Sequence, residues 1–173
     1  MRIQKIRPDA GHSLLGQLIR MRALLQRVKE CGVEIDGKEY SNIPGGLLIF
    51  LGVRKDDVES DADSLAERSG SLRIFNDSAG KMNLSILENR GSVMIVSQFT
   101  LYANTRKGNR PGYSDAAPSQ IAEKLYDRFC DRMRLLAGTE RVSTGKFGAM
   151  MNVKLVNDGP VTVMLESKEP RQA

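Results

Sequence analysis

Three short segments carry polar or conformationally unusual residues in places where chemistry could be done. Ser97-Gln98-Phe99-Thr100 follows directly on an apolar run at residues 93–96. A strand buried on both faces that ends in Ser, Gln and Thr sets hydroxyl and amide groups at a sheet edge. They serve there either as a plain polar strand end or as hydrogen-bonding groups for a substrate. Asn157-Asp158-Gly159-Pro160-Val161-Thr162 lies between two β-like runs and reads as a turn. Its Gly-Pro bond is of the kind that can be cis, and a cis bond aims carbonyls in unusual directions. Gly80-Lys81-Met82-Asn83-Leu84 reads as a loop with one solvated lysine.

Several chemistries are excluded by counting. The chain has 1 histidine, His12, and it falls in an N-terminal segment unlike the rest. A Ser-His-Asp triad or a histidine-rich zinc site cannot be built from the body of such a chain. The 2 cysteines, Cys31 and Cys130, stand far apart with no CxxC spacing, which fits free thiols in a reducing compartment. No phosphate-loop or dinucleotide fingerprint and no paired-carboxylate spacing is found. A hydroxyl nucleophile would therefore lack a histidine to activate it.

The elements that must position these segments alternate along 173 residues, a length that suits one folded domain at 21–167. Residues 23–29 read as a strand. Residues 33–35 and 38–43 form a hairpin about Asp36-Gly37, a pair that tolerates the positive φ angles of a tight turn. Residues 47–53 read as a buried strand. Asp56 or Asp57 would cap a helix to about Gly70, with Val58, Ala62, Leu65, Ala66 and Ser69 on one face. A short strand at 72–75 and a turn at 76–80 lead to a central strand at 92–97. Ser119 would cap a second helix, whose Ile121, Leu125, Phe129, Met133 and Leu136 repeat at helical spacing before Gly138. Residues 142–147, 152–156 and 161–165 are again strand-like. The pattern predicts an α+β domain of antiparallel β-sheets with a barrel-like core and two main helices.

Residues 1–20 carry Arg2, Lys5, Arg7 and Arg20 against the single acid Asp9, broken by Pro8 and Gly11. They read as a poorly ordered extension, with an organelle-targeting segment as the alternative; Met21 could serve as a start of its own. Residues 168–173 read as a tail. Lys plus Arg total 26 against 21 for Asp plus Glu, a balance compatible with a polyanionic partner. Arg106, Lys107 and Arg110 fall in one Gly/Asn/Pro-containing loop with no acid from Thr100 to Pro111. No apolar run approaches membrane-spanning length, and the expected location is the cytoplasm.

The same three segments, in this order, resemble the D-aminoacyl-tRNA deacylase family. Further matching stretches are Gln26-Arg27-Val28, Gly45-Gly46-Leu47, Leu51-Gly52-Val53, Arg73-Ile74-Phe75, Asp115-Ala116-Ala117-Pro118 and Thr144-Gly145-Lys146-Phe147-Gly148. The resemblance runs from Met21 to about Glu166. It implies a homodimer with a cross-subunit active site, acting on tRNA charged with a D-amino acid and needing no cofactor or metal. In that picture Gly159-Pro160 is cis and reaches into the opposite subunit. There its carbonyls capture the substrate amino group and exclude L-amino acids. Ser97, Gln98, Phe99 and Thr100 line the catalytic pocket, and Asn157, Lys81, Met82, Arg27 and Phe147 take part in substrate binding and chiral selection. Glycyl-tRNA would be accepted too.

Thr100 matches the residue proposed as nucleophile in the family, while a second view gives the chemistry to the substrate's own vicinal hydroxyl. Because no base is available to Thr100, the second view is favoured, with backbone N–H groups facing the developing oxyanion. The chain departs from the family pattern at Met150, Asn109, Gly112 and Tyr113, which touches the expected tRNA contacts rather than the three motifs. Two rival readings remain: a non-catalytic binding module, and a relative that removes L-alanine or glycine from mischarged tRNA.

Overall fold

The computed structural model describes residues 21–106 and 108–167. The anticipated extension at 1–20 with His12, the tail at 168–173 and Lys107 lie outside the described residues.

β1 (Arg22–Ile35) is the spine of the sheet. The predicted strand at 23–29 and the first hairpin arm are one element of 14 residues. The sequence hides this continuity because Lys29 and Glu30 are exposed and interrupt the alternation before it resumes at Cys31 and Val33. One edge of β1 pairs first with β3 (Gly46–Gly52) and then with β2 (Lys38–Ile43). The other edge pairs with β8 (Asn152–Glu166) along almost its whole length. The β1–β2 turn is the expected one: Asp36 and Gly37 have φ of 51° and 74°, as a two-residue hairpin of the favoured twist requires.

The sheet is mixed, not antiparallel as predicted. Its order is β2-β1-β3-β6-β7, where β6 is Ser92–Ser97 and β7 is Val142–Thr144, with β8 on the far side of β1. β6 runs parallel to both β3 and β7. Parallel neighbours require long crossovers, supplied here by the segments that contain the helices. The all-apolar character of β3 and β6 is the sequence signature of that arrangement. At Gly46 the β3 and β6 backbones come so close that a Cβ would lie 1.9 Å from the Ser92 carbonyl oxygen. β2 and β7 approach across the open side, where Ser41 Oγ donates to the Thr144 carbonyl at 2.8 Å, so the sheet is nearly closed into a barrel.

Alternate residues of the strands feed two cores. Leu25, Leu47, Ile49, Val93 and Ile95 face the helices, whereas Val33, Leu48, Met94 and Val96 face the barrel interior. α1 (Glu59–Ser71) and α3 (Ser119–Ala137) pack together over the first face, burying Ala62, Leu65, Phe129 and Met133. Ion pairs join them outside, Arg128 to Asp63 at 2.6 Å and Arg132 to Glu67.

Several boundaries differ from expectation. α1 begins after Val58, which is 49% exposed rather than on the core face. Asp57 instead accepts the Arg54 N–H at 2.6 Å, and Asp61 accepts the Val58 N–H at 3.0 Å. α3 is preceded by Pro118, not capped by Ser119, and Ile121 is 45% exposed. A third helix, α2 (Ile86–Asn89), is a single turn too short for periodicity to reveal. Its legible signal was the reciprocal cap, Ser85 with Glu88 three residues on. The predicted strand at 72–75 shrinks to β4 (Phe75–Asn76), paired with β5 (Met82–Leu84). The strand expected at 142–147 stops at Thr144, and those at 152–156 and 161–165 are both parts of β8.

Candidate active site

β6 delivers its polar end to a cleft. After Ser97 the chain leaves the sheet, the Gln98 N–H bonding to the Leu51 carbonyl at 2.7 Å, and winds into a 3-10 turn, Phe99–Tyr102. The N–H groups of Phe99 and Thr100 open this turn and, as at any helix start, have no acceptor within it. Gln98 Nε2 donates to Thr100 Oγ1 in a short contact. That contact occupies one of the two lone pairs of the hydroxyl and supplies no base for its proton. An amide N–H cannot take up a proton, so the Thr100 O–H is set up as a donor.

Ser97, Gln98 and Phe99 line a cleft of about 220 Å³ together with Leu51, Val53, Ala116, Ala117, Tyr126 and Phe147. Phe147 sits 5.7 Å from the Tyr126 ring. Tyr126 is held in place by donating to the Ile95 carbonyl at 2.9 Å, and burial pushes its phenol far up in pKa. Phe99 is 58% exposed and packs edge-on against Tyr113 at 4.9 Å. The cleft thus has aromatic and small apolar walls with hydroxyl, amide and backbone donors at one side.

The Gly-Pro segment is not the simple turn the sequence suggested. It is a bulge within β8. Gln26 pairs with Thr162 and Val28 with Asn157, so Asp158, Gly159, Pro160 and Val161 all stand opposite Arg27. Asn157 closes the bulge: its Oδ1 accepts the Val161 N–H and its Nδ2 donates to Thr162 Oγ1, both at 3.0 Å. The Gly159-Pro160 bond is cis and Gly159 has φ 116°. Both residues are exposed.

Arg27 carries this bulge from beneath. It occupies an inward position of β1, in step with Ala23 and Leu25, and is 8% exposed. Its Nε lies 2.9 Å from Asp158 Oδ2, and its Nη1 donates to the Ile74 carbonyl at 2.7 Å. A contact of 3.5 Å to Asn76 Oδ1 ties it to β4. Asn76 pairs with Met82, so exposed Met82 and Lys81 belong to the same neighbourhood. Arg27 was legible as a charge on the buried side of an alternating strand; Tyr126, which sequence reasoning passed over, was a polar tip on the apolar face of α3.

The predicted residues therefore form two groups. Ser97, Gln98, Phe99, Thr100 and Phe147 meet at one end of the sheet. Arg27, Asn157, Gly159, Pro160, Lys81 and Met82 gather at the other. The bulge is level with Leu47 and Val93, four residue steps from Leu51 and Ser97, and three strand spacings away. At about 3.3 Å per step and about 4.8 Å per spacing, roughly 20 Å of sheet separates them.

Residues 24–166 match the family model described as D-Tyr-tRNA(Tyr) deacylase. The chain belongs to this family. Among its relatives, the D-aminoacyl-tRNA deacylase of Thermosipho africanus is 54% identical over 152 residues, covering 86% of this chain and 99% of that one. The D-aminoacyl-tRNA deacylase of Bacillus cereus is 51% identical over 148 residues, covering 86% and 100%. A solved structure of a c-Myc DNA unwinding element binding protein superposes with TM-score 0.81 at 36% identity, covering 84% of this chain and 98% of that one. A structure described as a probable eukaryotic D-amino acid tRNA deacylase has TM-score 0.76, covering 86% and 100%. At 19% identity it speaks for the fold alone. The deacylase-family match spans both groups of site residues. Among the described residues no helix is long and apolar enough to cross a membrane.

Proposed function

We propose that the protein hydrolyses the ester between a D-amino acid and the 3′ end of tRNA, releasing both, and that it rejects L-aminoacyl-tRNA. The observation that carries the mechanism is the Gln98–Thr100 contact beside an apolar, aromatic-walled cleft. The cleft suits the terminal adenine, which gains by stacking on aromatic rings. The ester carbonyl then lies against the N–H groups of Phe99 and Thr100 and the Thr100 hydroxyl, which receive the developing negative charge. A water held by the ribose hydroxyl next to the ester attacks the carbonyl; the bond from the acyl carbon to the ribose ester oxygen then breaks, that oxygen takes up a proton from the water, and free amino acid and tRNA leave. Thr100 thus donates a hydrogen bond and forms no acyl intermediate.

Stereoselection falls to the second group. Lifting Asp158 to Val161 out of the ladder frees main-chain carbonyls of the bulge to accept from the substrate ammonium. A site that fixes the amino group and the ester leaves room for a side chain on one side only. D residues of any size point to solvent, glycine fits, and an L side chain strikes the bulge. Because the two groups lie at opposite ends of one sheet, we assign each complete site to two chains, the bulge of one meeting the cleft of the other. The outer edge of the 15-residue β8, unpaired among the described residues and with Val156 and Met164 exposed, supports such a homodimer. The buried, unpaired Cys31 and Cys130 fit the reducing cytoplasm.

The test is release of amino acid from D-tyrosyl-tRNA and L-tyrosyl-tRNA by the purified protein, with sedimentation of the same sample. Rapid hydrolysis of the D ester alone, by a dimer, is expected. Equal rates on both esters would refute stereoselection, and no hydrolysis of either would refute the activity.

A further inference from the structure

Behind the 3-10 turn lies a second concavity of about 440 Å³, lined by Arg22, Arg54, Arg106, Tyr102 and Asp115 among others. It adjoins the cleft. Three chain segments pass directly from one to the other: Val53 to Arg54, Phe99 to Tyr102, and Ala116 back to Asp115. The shared wall is stitched by the Arg54–Ala116 bridge and by the Ala117 N–H bonded to the Val53 carbonyl at 2.9 Å.

The groove is cationic and partly preorganised. Arg22 lies over the Tyr102 ring, its Cζ 4.9 Å from the centroid, with Nε 3.0 Å from Glu166 Oε1 and Nη1 2.9 Å from the Leu101 carbonyl. A guanidinium so fixed keeps N–H donors to spare and loses little freedom on meeting an anion. Asp115, the acid of the groove, is itself faced by Lys55 at 3.8 Å. Arg106 rises from a loop closed at its base by paired Asn104 and Gly112. Among the described residues no carboxylate pairs with its guanidinium.

We propose that this groove binds the phosphodiester backbone of the tRNA 3′ strand immediately preceding the terminal adenosine. The inference rests on the deacylase reading above and deepens it. A base in the cleft leaves its 5′ phosphate at the cleft mouth, where the shared wall gives way to Arg54, Arg22 and Arg106. Contacts of this kind fix register without reading sequence, so the enzyme would act on many tRNAs.

The experiment compares D-tyrosyl-tRNA with 3′-O-D-tyrosyl-adenosine, which carries no phosphate, between about 50 and 200 mM salt. Arg106→Ala is expected to lower kcat/KM for the tRNA about tenfold at the lowest salt, mainly through KM, against less than about twofold for the adenosine ester. The log–log salt dependence on tRNA should flatten by about 0.7, the share of one phosphate contact on a single strand. Arg106→Lys should restore most of the loss, because a point charge suffices. Equal losses on both substrates, or an unchanged salt slope, would overturn the groove assignment alone. A wild-type protein that hydrolyses neither ester would instead remove the activity on which it rests.

Discussion

Replacing Gly159 by Ala tests whether the β8 bulge is a built surface. Gly159 has φ 116°, outside the range L residues ordinarily occupy, and its added Cβ would lie 2.9 Å from both Arg27 Nη2 and Val161 Cγ2. The backbone conformation costs about 1–3 kcal/mol for a residue with a Cβ. Crowding adds about 1 kcal/mol, since Val161 is stiff at χ1 and Arg27 is held by Asp158 and Ile74. The sum is about 2–4 kcal/mol. For a chain of this size each kcal/mol lowers Tm by about 2–4 °C, so a fall of about 5–15 °C is expected. Gly37→Ala is the control: φ is 74° but nothing lies within 4 Å of the new Cβ. It should cost about 1–2 kcal/mol and leave deacylation intact. Below both melting points, Gly159→Ala should lose about 100-fold or more in kcat/KM on D-tyrosyl-tRNA, the usual effect of moving a positioning group by about 1 Å. The assays are calorimetric melting and single-turnover deacylation of both variants. If Gly159→Ala melts with wild type and deacylates normally, the bulge neither needs glycine nor positions substrate, and the reasoning fails.

Thr100→Ala should slow deacylation by about 10²–10³, as removal of one oxyanion donor does, without abolishing it. A substrate ending in 2′-deoxyadenosine should lose more than that, and an acyl-Thr100 adduct trapped by mass spectrometry would contradict the mechanism. Burial raises the pKa of Cys31 to about 11 and of Cys130 to about 12, so both stay as neutral thiols at pH 8. Iodoacetamide should label neither in the native protein and both after denaturation; rapid native labelling would contradict that burial. A chain begun at Met21 should match the full chain in Tm and rate, because Met21 is already fully buried and its carbonyl accepts the Ser167 N–H at 2.9 Å; failure to fold would show that the preceding residues are needed.

The candidate site residues were legible as residue types in order along the chain. Ser97, Gln98 and Thr100 stood out because a both-faces-apolar strand seldom ends in three hydrogen-bonding side chains. Asp36-Gly37 declared its hairpin because few residue pairs accept two positive φ angles. The lone His12 and scattered cysteines excluded whole classes of site by count. Such features are local: composition and spacing over a few residues determine them.

What needed tertiary structure was everything that depends on which strand lies beside which. Residues 157–162 have the composition of a turn, and only the ladder from Gln26 to Glu34 shows them to be a bulge inside β8. The apolar runs of β3 and β6 signal strands covered on both faces, but their parallel direction and adjacency follow from the crossover that carries α1. The partners of Arg27 come from elsewhere in the chain: β8 brings Asp158 to it, and the residue preceding β4 brings the Ile74 carbonyl. The separation of the two groups of candidate residues, on which the proposed two-chain site rests, comes from sheet order. Apart from the Asp36-Gly37 hairpin, strand order and register depend on packing between segments distant in sequence, which no stretch of a few residues encodes.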